Sequence, residues 1–168
     1  RSTLFPYTTL FRSAETFTME MGKPVYSDHQ ATLEAVCVEL SELKSLNLKS
    51  SKLTAGSTTI EFETATPVKL LVGFFRDDQT RYAKAPTLET DAGANQYGQA
   101  DPVLFNAVRI KGLPMVNVHA YHFEKGKHQL ILPRGMLLVL GFTSDEPEVR
   151  DAGLAGTGSE EAMDWLFY

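Results

Sequence analysis

The stretch GLPMVNVHAYHFEKGKHQLILPRGMLLVLGF, Gly112 to Phe142, carries three apolar runs divided by two short Gly-containing turns. That pattern reads as a three-strand antiparallel meander. The expected strands are Val116 to Phe123, His128 to Leu132 and Met136 to Phe142, with turns over Glu124 to Lys127 and Pro133 to Gly135. With Glu124 opposite Lys127, the register sets Phe123 against His128 and His119 against Leu132. Alternation places Asn117, His119, Tyr121 and Phe123 on one face and Val116, Val118, Ala120 and His122 on the other. If the valine face is core, the first set forms a polar and aromatic strip open to a ligand. Leu130 and Leu132 share the strip's face in this register and argue for the opposite assignment.

Three of the four histidines fall in this stretch. His119 and His122 are three residues apart, so on a regular strand they point to opposite faces and cannot share an ion. His119 and His128 lie on one face of the meander but about 13 Å apart along it. The spacing therefore argues against a transition-metal site, and structural histidines are the expectation.

Working outward, Phe17, Met19 and Met21 alternate with Thr16, Thr18 and Glu20 as in a half-buried strand. Residues 31–48 are expected as strand, one helical turn near Glu39 to Lys44, then strand again. Thr58 to Thr64 alternates cleanly, whereas Val68 to Phe75 is nearly continuous apolar, as in a central strand covered on both faces. Pro102 to Lys111 supplies another strand. Eight to ten short strands without βαβ alternation point to an all-β fold, a two-sheet antiparallel β-sandwich or jelly roll. Thr157 and Glu160 have capping-box spacing for a short C-terminal helix. The expected division is a β-sandwich domain over 14–142, followed by a surface tail over 143–168 that packs back on it.

At 168 residues, with 43% apolar and 22% charged side chains, the chain matches one globular domain. A net charge of -5 disfavours nucleic acid and anionic membrane as partners, and no apolar run approaches the length of a bilayer span. The single Cys37 excludes an internal disulfide.

The long connection from Arg76 to Asp101 has little periodicity and lies between two strands, which marks a functional loop. Tyr82 and Tyr97 offer stacking faces, and Arg81, Glu89, Asp91, Asn95 and Gln99 offer planar hydrogen-bonding groups. Sugars match that mixture, since their C–H faces stack on rings and their hydroxyls both donate and accept. The expected ligand-binding set is these seven residues with Asn117, His119 and Tyr121 of the strip. Packing of the loop's tyrosines over the sheet edge is the alternative. No catalytic residue is assigned: nucleophile-elbow, P-loop and dinucleotide motifs are absent. Glu89 with Asp91 as a glycosidase pair, or Tyr121, His119 and Arg81 as lyase groups, stay open on chemistry alone. No cofactor is expected beyond a structural calcium, for which Asp91, Gly93 and Asn95 begin a suitable loop that Gln96 and Pro102 do not complete.

Tyr26-Ser27-Asp28, Cys37 to Leu40, Ile60-Glu61-Phe62 and Leu70 to Val72 together resemble the ancillary β-sandwich domains appended to bacterial polysaccharide-degrading enzymes. Cys37 stands where those domains usually have proline, and His29 where arginine is common. The resemblance implies a glycan-binding accessory module, with a polysaccharide and an upstream catalytic domain as partners and a secreted or periplasmic location. A small polysaccharide lyase or glycoside hydrolase, and a purely structural interdomain module, are the alternatives. Thr3 to Ser13 resembles a translated sequencing adapter, so residues 1–13 are expected to be non-native and the natural chain to continue upstream of Ala14.

Overall fold

The computed structural model describes residues 9–11, 15–86, 100–144 and 149–154. In chain order these form β1 (Thr9–Phe11), β2 (Thr16–Thr18), β3 (Leu33–Val36), β4 (Lys44–Leu46), α1 (Ser50–Ala55), β5 (Thr58–Thr64) and β6 (Val68–Phe75). They continue as β7 (Ala100–Ile110), β8 (Val116–Phe123), β9 (Gly126–Leu132), β10 (Leu137–Thr143) and β11 (Arg150–Asp151). The fold is all-β, a sandwich of jelly-roll type. Its larger sheet runs β10-β6-β8-β7-β11, with β3 also pairing β7; the smaller runs β1-β5-β9, and β2 pairs β4 separately.

The smaller sheet lies over one face of the larger. Cross-strand partners share a face, so Ile60, Phe62, Leu130, Leu132 and His128 line the inner side of β5 and β9. Phe62 meets Phe123 of β8 edge-on at 4.8 Å and Phe142 of β10 at 4.9 Å between ring centroids. The expected central strand, β6, is buried along nearly its whole length between β10 and β8.

The three-strand meander is corrected. β8 already has β6 on one edge and β7 on the other, so no edge remains for β9. The chain crosses instead to the open edge of β5, which puts Phe62, not Phe123, opposite His128. His119 is correspondingly set against Val72 and Pro102, not Leu132. Leu130 and Leu132 thus lie buried on the inner side of the other sheet. The corner keeps one cross-strand feature of the expected register, a ring contact between Phe123 and His128 at 4.9 Å, and His128 Nε2 donates to the Glu124 carbonyl.

Smaller differences follow local packing. The first alternating run is a strand only over Thr16–Thr18, and Met21 is 58% exposed. The expected helical turn is a 3-10 turn over Val38–Leu40. The helix α1 was not expected. Its first N–H groups are capped from a distance: Asp28 accepts from Ser50 N–H at 2.7 Å, Ser50 Oγ at 2.9 Å and Ser51 N–H at 3.0 Å. Tyr26 donates from its buried hydroxyl to the Leu137 carbonyl at 2.7 Å. The Tyr26-Ser27-Asp28 motif therefore ties α1 and β10 to one segment. Within the tail after Thr143, β11 adds to β7 in parallel, and Arg150 clasps Glu39 through two hydrogen bonds of 2.9 and 2.6 Å. In the segment likened to an adapter, β1 pairs with β5. The expected C-terminal helix lies outside the described residues.

Candidate functional site

A hollow of about 690 Å³ opens where β6 leaves the large sheet. Its walls are Phe74, Phe75, the turn Arg76 to Gln79, Ala85, and Asn117 and His119 of β8. The first part of the long loop and one end of the strip therefore meet, and of the expected ligand-binding residues Asn117 and His119 line the hollow.

The strip grades along β8 from core to site. Phe123 lies under the smaller sheet against Phe62. Tyr121 is 5% exposed and opposite Leu70. His119, 7% exposed, packs edge-on against Phe74 at 5.3 Å. Asn117 is half-buried and lines the hollow. Six steps of strand separate Phe123 from Asn117, roughly 20 Å, so the cover that Phe62 gives to one end does not reach the other.

The loop is held at Arg81 to Ala83. Met136 N–H donates to the Arg81 carbonyl at 2.8 Å, and Ala83 N–H donates to the Met136 carbonyl at 3.1 Å. Gly135 makes this approach feasible: with φ at +126°, any Cβ there would stand 2.3 Å from Ala83 N. Tyr82 is drawn inward by the same contacts. It is 2% exposed, packs on Phe75 at 5.1 Å, and carries the Arg81 guanidinium over its ring at 4.9 Å. Its ring offers no face to solvent, so the expected stacking role of Tyr82 gives way to packing. Its hydroxyl has no hydrogen-bond partner among the described residues. Arg81 is exposed and does not line the hollow. Glu89, Asp91, Asn95, Tyr97 and Gln99, with the calcium-like loop, lie outside the described residues.

Sequence reasoning missed the group that organises the hollow. Between Leu104 and Val108, four steps of β7 oppose two of β8, from Val118 to Val116, which is a bulge. At its centre Asn106, 7% exposed, has φ of 53°. Its N–H donates to Asn117 Oδ1 at 2.9 Å, and its Oδ1 accepts from Arg76 Nη1 at 2.5 Å. Its Nδ2 donates to Asp151 Oδ2 at 3.1 Å, and its carbonyl accepts from Leu154 N–H at 3.3 Å. Across the hollow, Asp77 closes a turn by accepting from Gln79 N–H at 2.8 Å. The opening thus combines one fixed guanidinium, two carboxylates and two amides around a nearly covered aromatic base.

A second hollow of about 920 Å³ lies between β4, α1 and β5 and contains none of the expected site residues. Among the described residues, no three His, Cys, Asp or Glu side chains stand together as a metal-binding group.

No family model and no curated protein matches the chain. Among solved structures it is similar to a GH138 enzyme targeting pectin rhamnogalacturonan II, with a TM-score of 0.81 and 40% sequence identity. The match covers 95% of this chain and 18% of that one, so the chain spans under a fifth of the enzyme's length. That likeness ties the chain to a domain-sized part of a carbohydrate-active enzyme.

Proposed function

We propose that the chain is a glycan-binding accessory module of a larger, exported polysaccharide-active enzyme, and that it holds its glycan at the hollow between Arg76 to Gln79 and Asn117. The observation that carries this reading is the 40% identity to part of an enzyme targeting a pectic polysaccharide, extending over 95% of the chain. The hollow supports it chemically, because guanidinium, carboxylate and amide groups answer the donors and acceptors of sugar hydroxyls. The partners under this reading are a polysaccharide and the catalytic domain of the parent enzyme.

Affinity electrophoresis through neutral and acidic polysaccharides, rhamnogalacturonan II among them, tests the reading when paired with reducing-end and unsaturated-uronate assays. Retardation without cleavage is expected, and Asp78→Ala with Gln79→Ala, both at exposed positions, should weaken it. Cleavage would favour a small lyase or glycoside hydrolase, for which Asp77 and Asp78 are the carboxylates in the hollow. Silence in every assay would leave a structural interdomain module.

A further inference from the structure

We infer that Asn106 is a positioning residue for the hollow, setting Arg76 and Asn117 as a paired donor for two neighbouring oxygen acceptors of one sugar unit. The inference rests on the hollow being the glycan site.

Asn106 is the one non-glycine with positive φ among the described residues. Left-handed backbone is disfavoured for a residue with a Cβ and is retained where surrounding structure uses it. The bulge takes the Asn106 N–H out of the strand ladder and gives it to a side chain, Asn117, which lines the hollow. Of the two ends of the Asn117 amide only Oδ1 can accept from a backbone N–H, so this bond fixes which way the amide is turned. Its Nδ2 is left as the free end, with no partner among the described residues. The Asn106 Oδ1 performs the same service for Arg76, holding Nη1 and thereby the plane of the guanidinium. An exposed arginine would otherwise rotate freely. Held in this way it keeps Nε and Nη2 as donors of known direction.

Two oriented donor groups on one wall suit two adjacent oxygens. Vicinal sugar hydroxyls and a uronate carboxylate both present that pair. The shared requirement is a pair of acceptors, and the source is separable by charge.

The role differs from simple support of β11, which Asn106 also contacts through Asp151. Asn106→Gly keeps the left-handed backbone and the bond to Asn117 but drops Arg76 and Asp151. Asn106→Asp keeps an acceptor for Arg76 and loses the donor to Asp151. Affinity electrophoresis in pectin and in carboxyl-reduced, neutral pectin, with thermal unfolding of each variant, reads both effects. Retardation of the parent chain should fall about tenfold in Asn106→Gly, the scale of a lost charge-assisted hydrogen bond. It should be held in Asn106→Asp although that variant melts earlier. Arg76→Gln, at an exposed position, should weaken binding as much as Asn106→Gly, which keeps the test valid if the glycine variant folds poorly. Loss on carboxyl reduction identifies the oxygens as a carboxylate, and equal binding identifies them as hydroxyls. Unchanged retardation in Asn106→Gly and Arg76→Gln overturns this inference and leaves the proposed function standing. A parent chain that neither pectin retards overturns this inference, and silence across the wider polysaccharide panel overturns the proposed function with it.

Discussion

Two buried tyrosines should respond in opposite directions to the same deletion. Tyr26 and Tyr82 are each 2% exposed. The Tyr26 hydroxyl donates to the Leu137 carbonyl at 2.7 Å, whereas the Tyr82 hydroxyl has no partner among the described residues. Removing a satisfied buried hydroxyl loses a hydrogen bond and strands its acceptor, about 1.5 kcal/mol. Removing an unsatisfied one relieves a desolvation penalty, with a net gain of about 1 kcal/mol. For a chain of this size each kcal/mol moves Tm by about 2–4 °C. Tyr26→Phe should therefore melt about 5 °C lower, and Tyr82→Phe about 3 °C higher, in thermal unfolding followed by circular dichroism at neutral pH. A fall in Tm for Tyr82→Phe comparable to that for Tyr26→Phe would show that its hydroxyl is satisfied and refute the reasoning. A water shared by the two phenols would appear as a coupling above about 0.5 kcal/mol in the double variant.

Further expectations follow from the same geometry. Burial, then Tyr82 and Asp28, raise the Tyr26 pKa well above its usual value. The folded state therefore keeps a proton that the unfolded chain releases near pH ~10. Stability should fall above that pH, and Tyr26→Phe should flatten this alkaline limb. Hydrogen bonds from Ser51 and then Ser50 outweigh desolvation and hold the Asp28 carboxyl below the usual carboxylate range. Its contribution is present above about pH 3.9 and lost as pH falls below it; faster amide exchange at Ser51 to Leu53 in acid should disappear as a pH effect in Asp28→Asn. Gly135→Ala should cost about 3 kcal/mol or more, because its Cβ meets the Ala83 backbone and φ is +126°; an unchanged Tm would mean the loop is not held there.

Strands with a strong one-dimensional signal were legible to the residue. Thr58–Thr64 alternates in sequence and in burial, and Val68–Phe75 is apolar in both. Pairing was not legible, because it depends on which edges are already occupied: Val116–Phe123 has the right bounds but two partners, and β9 had to go elsewhere. The helix Ser50–Ala55 was missed for a related reason. Its caps come from Asp28, 22 residues earlier, so its own sequence carries no starting signal.

The site shows where alternation stops being informative. Period-two counting correctly put Asn117, His119, Tyr121 and Phe123 on one face, but it has no access to the reach of the opposing sheet. Phe62 makes the Phe123 end core, while the Asn117 end opens beside Arg76, so both readings of the face hold at different points along it. Tyr82 fails for the converse reason. An aromatic in a polar loop reads as solvent-facing, yet the tie between Arg81 and Met136 turns it beneath Arg81 and against Phe75. Asn106 sits inside an ordinary-looking strand, and its only local cue is that asparagine tolerates left-handed backbone better than its neighbours do. What marks it is the use of all four of its polar groups, by three different segments of the fold. A single substitution there should therefore move binding, through Arg76 and Asn117, and stability, through Asp151 and Leu154, separately.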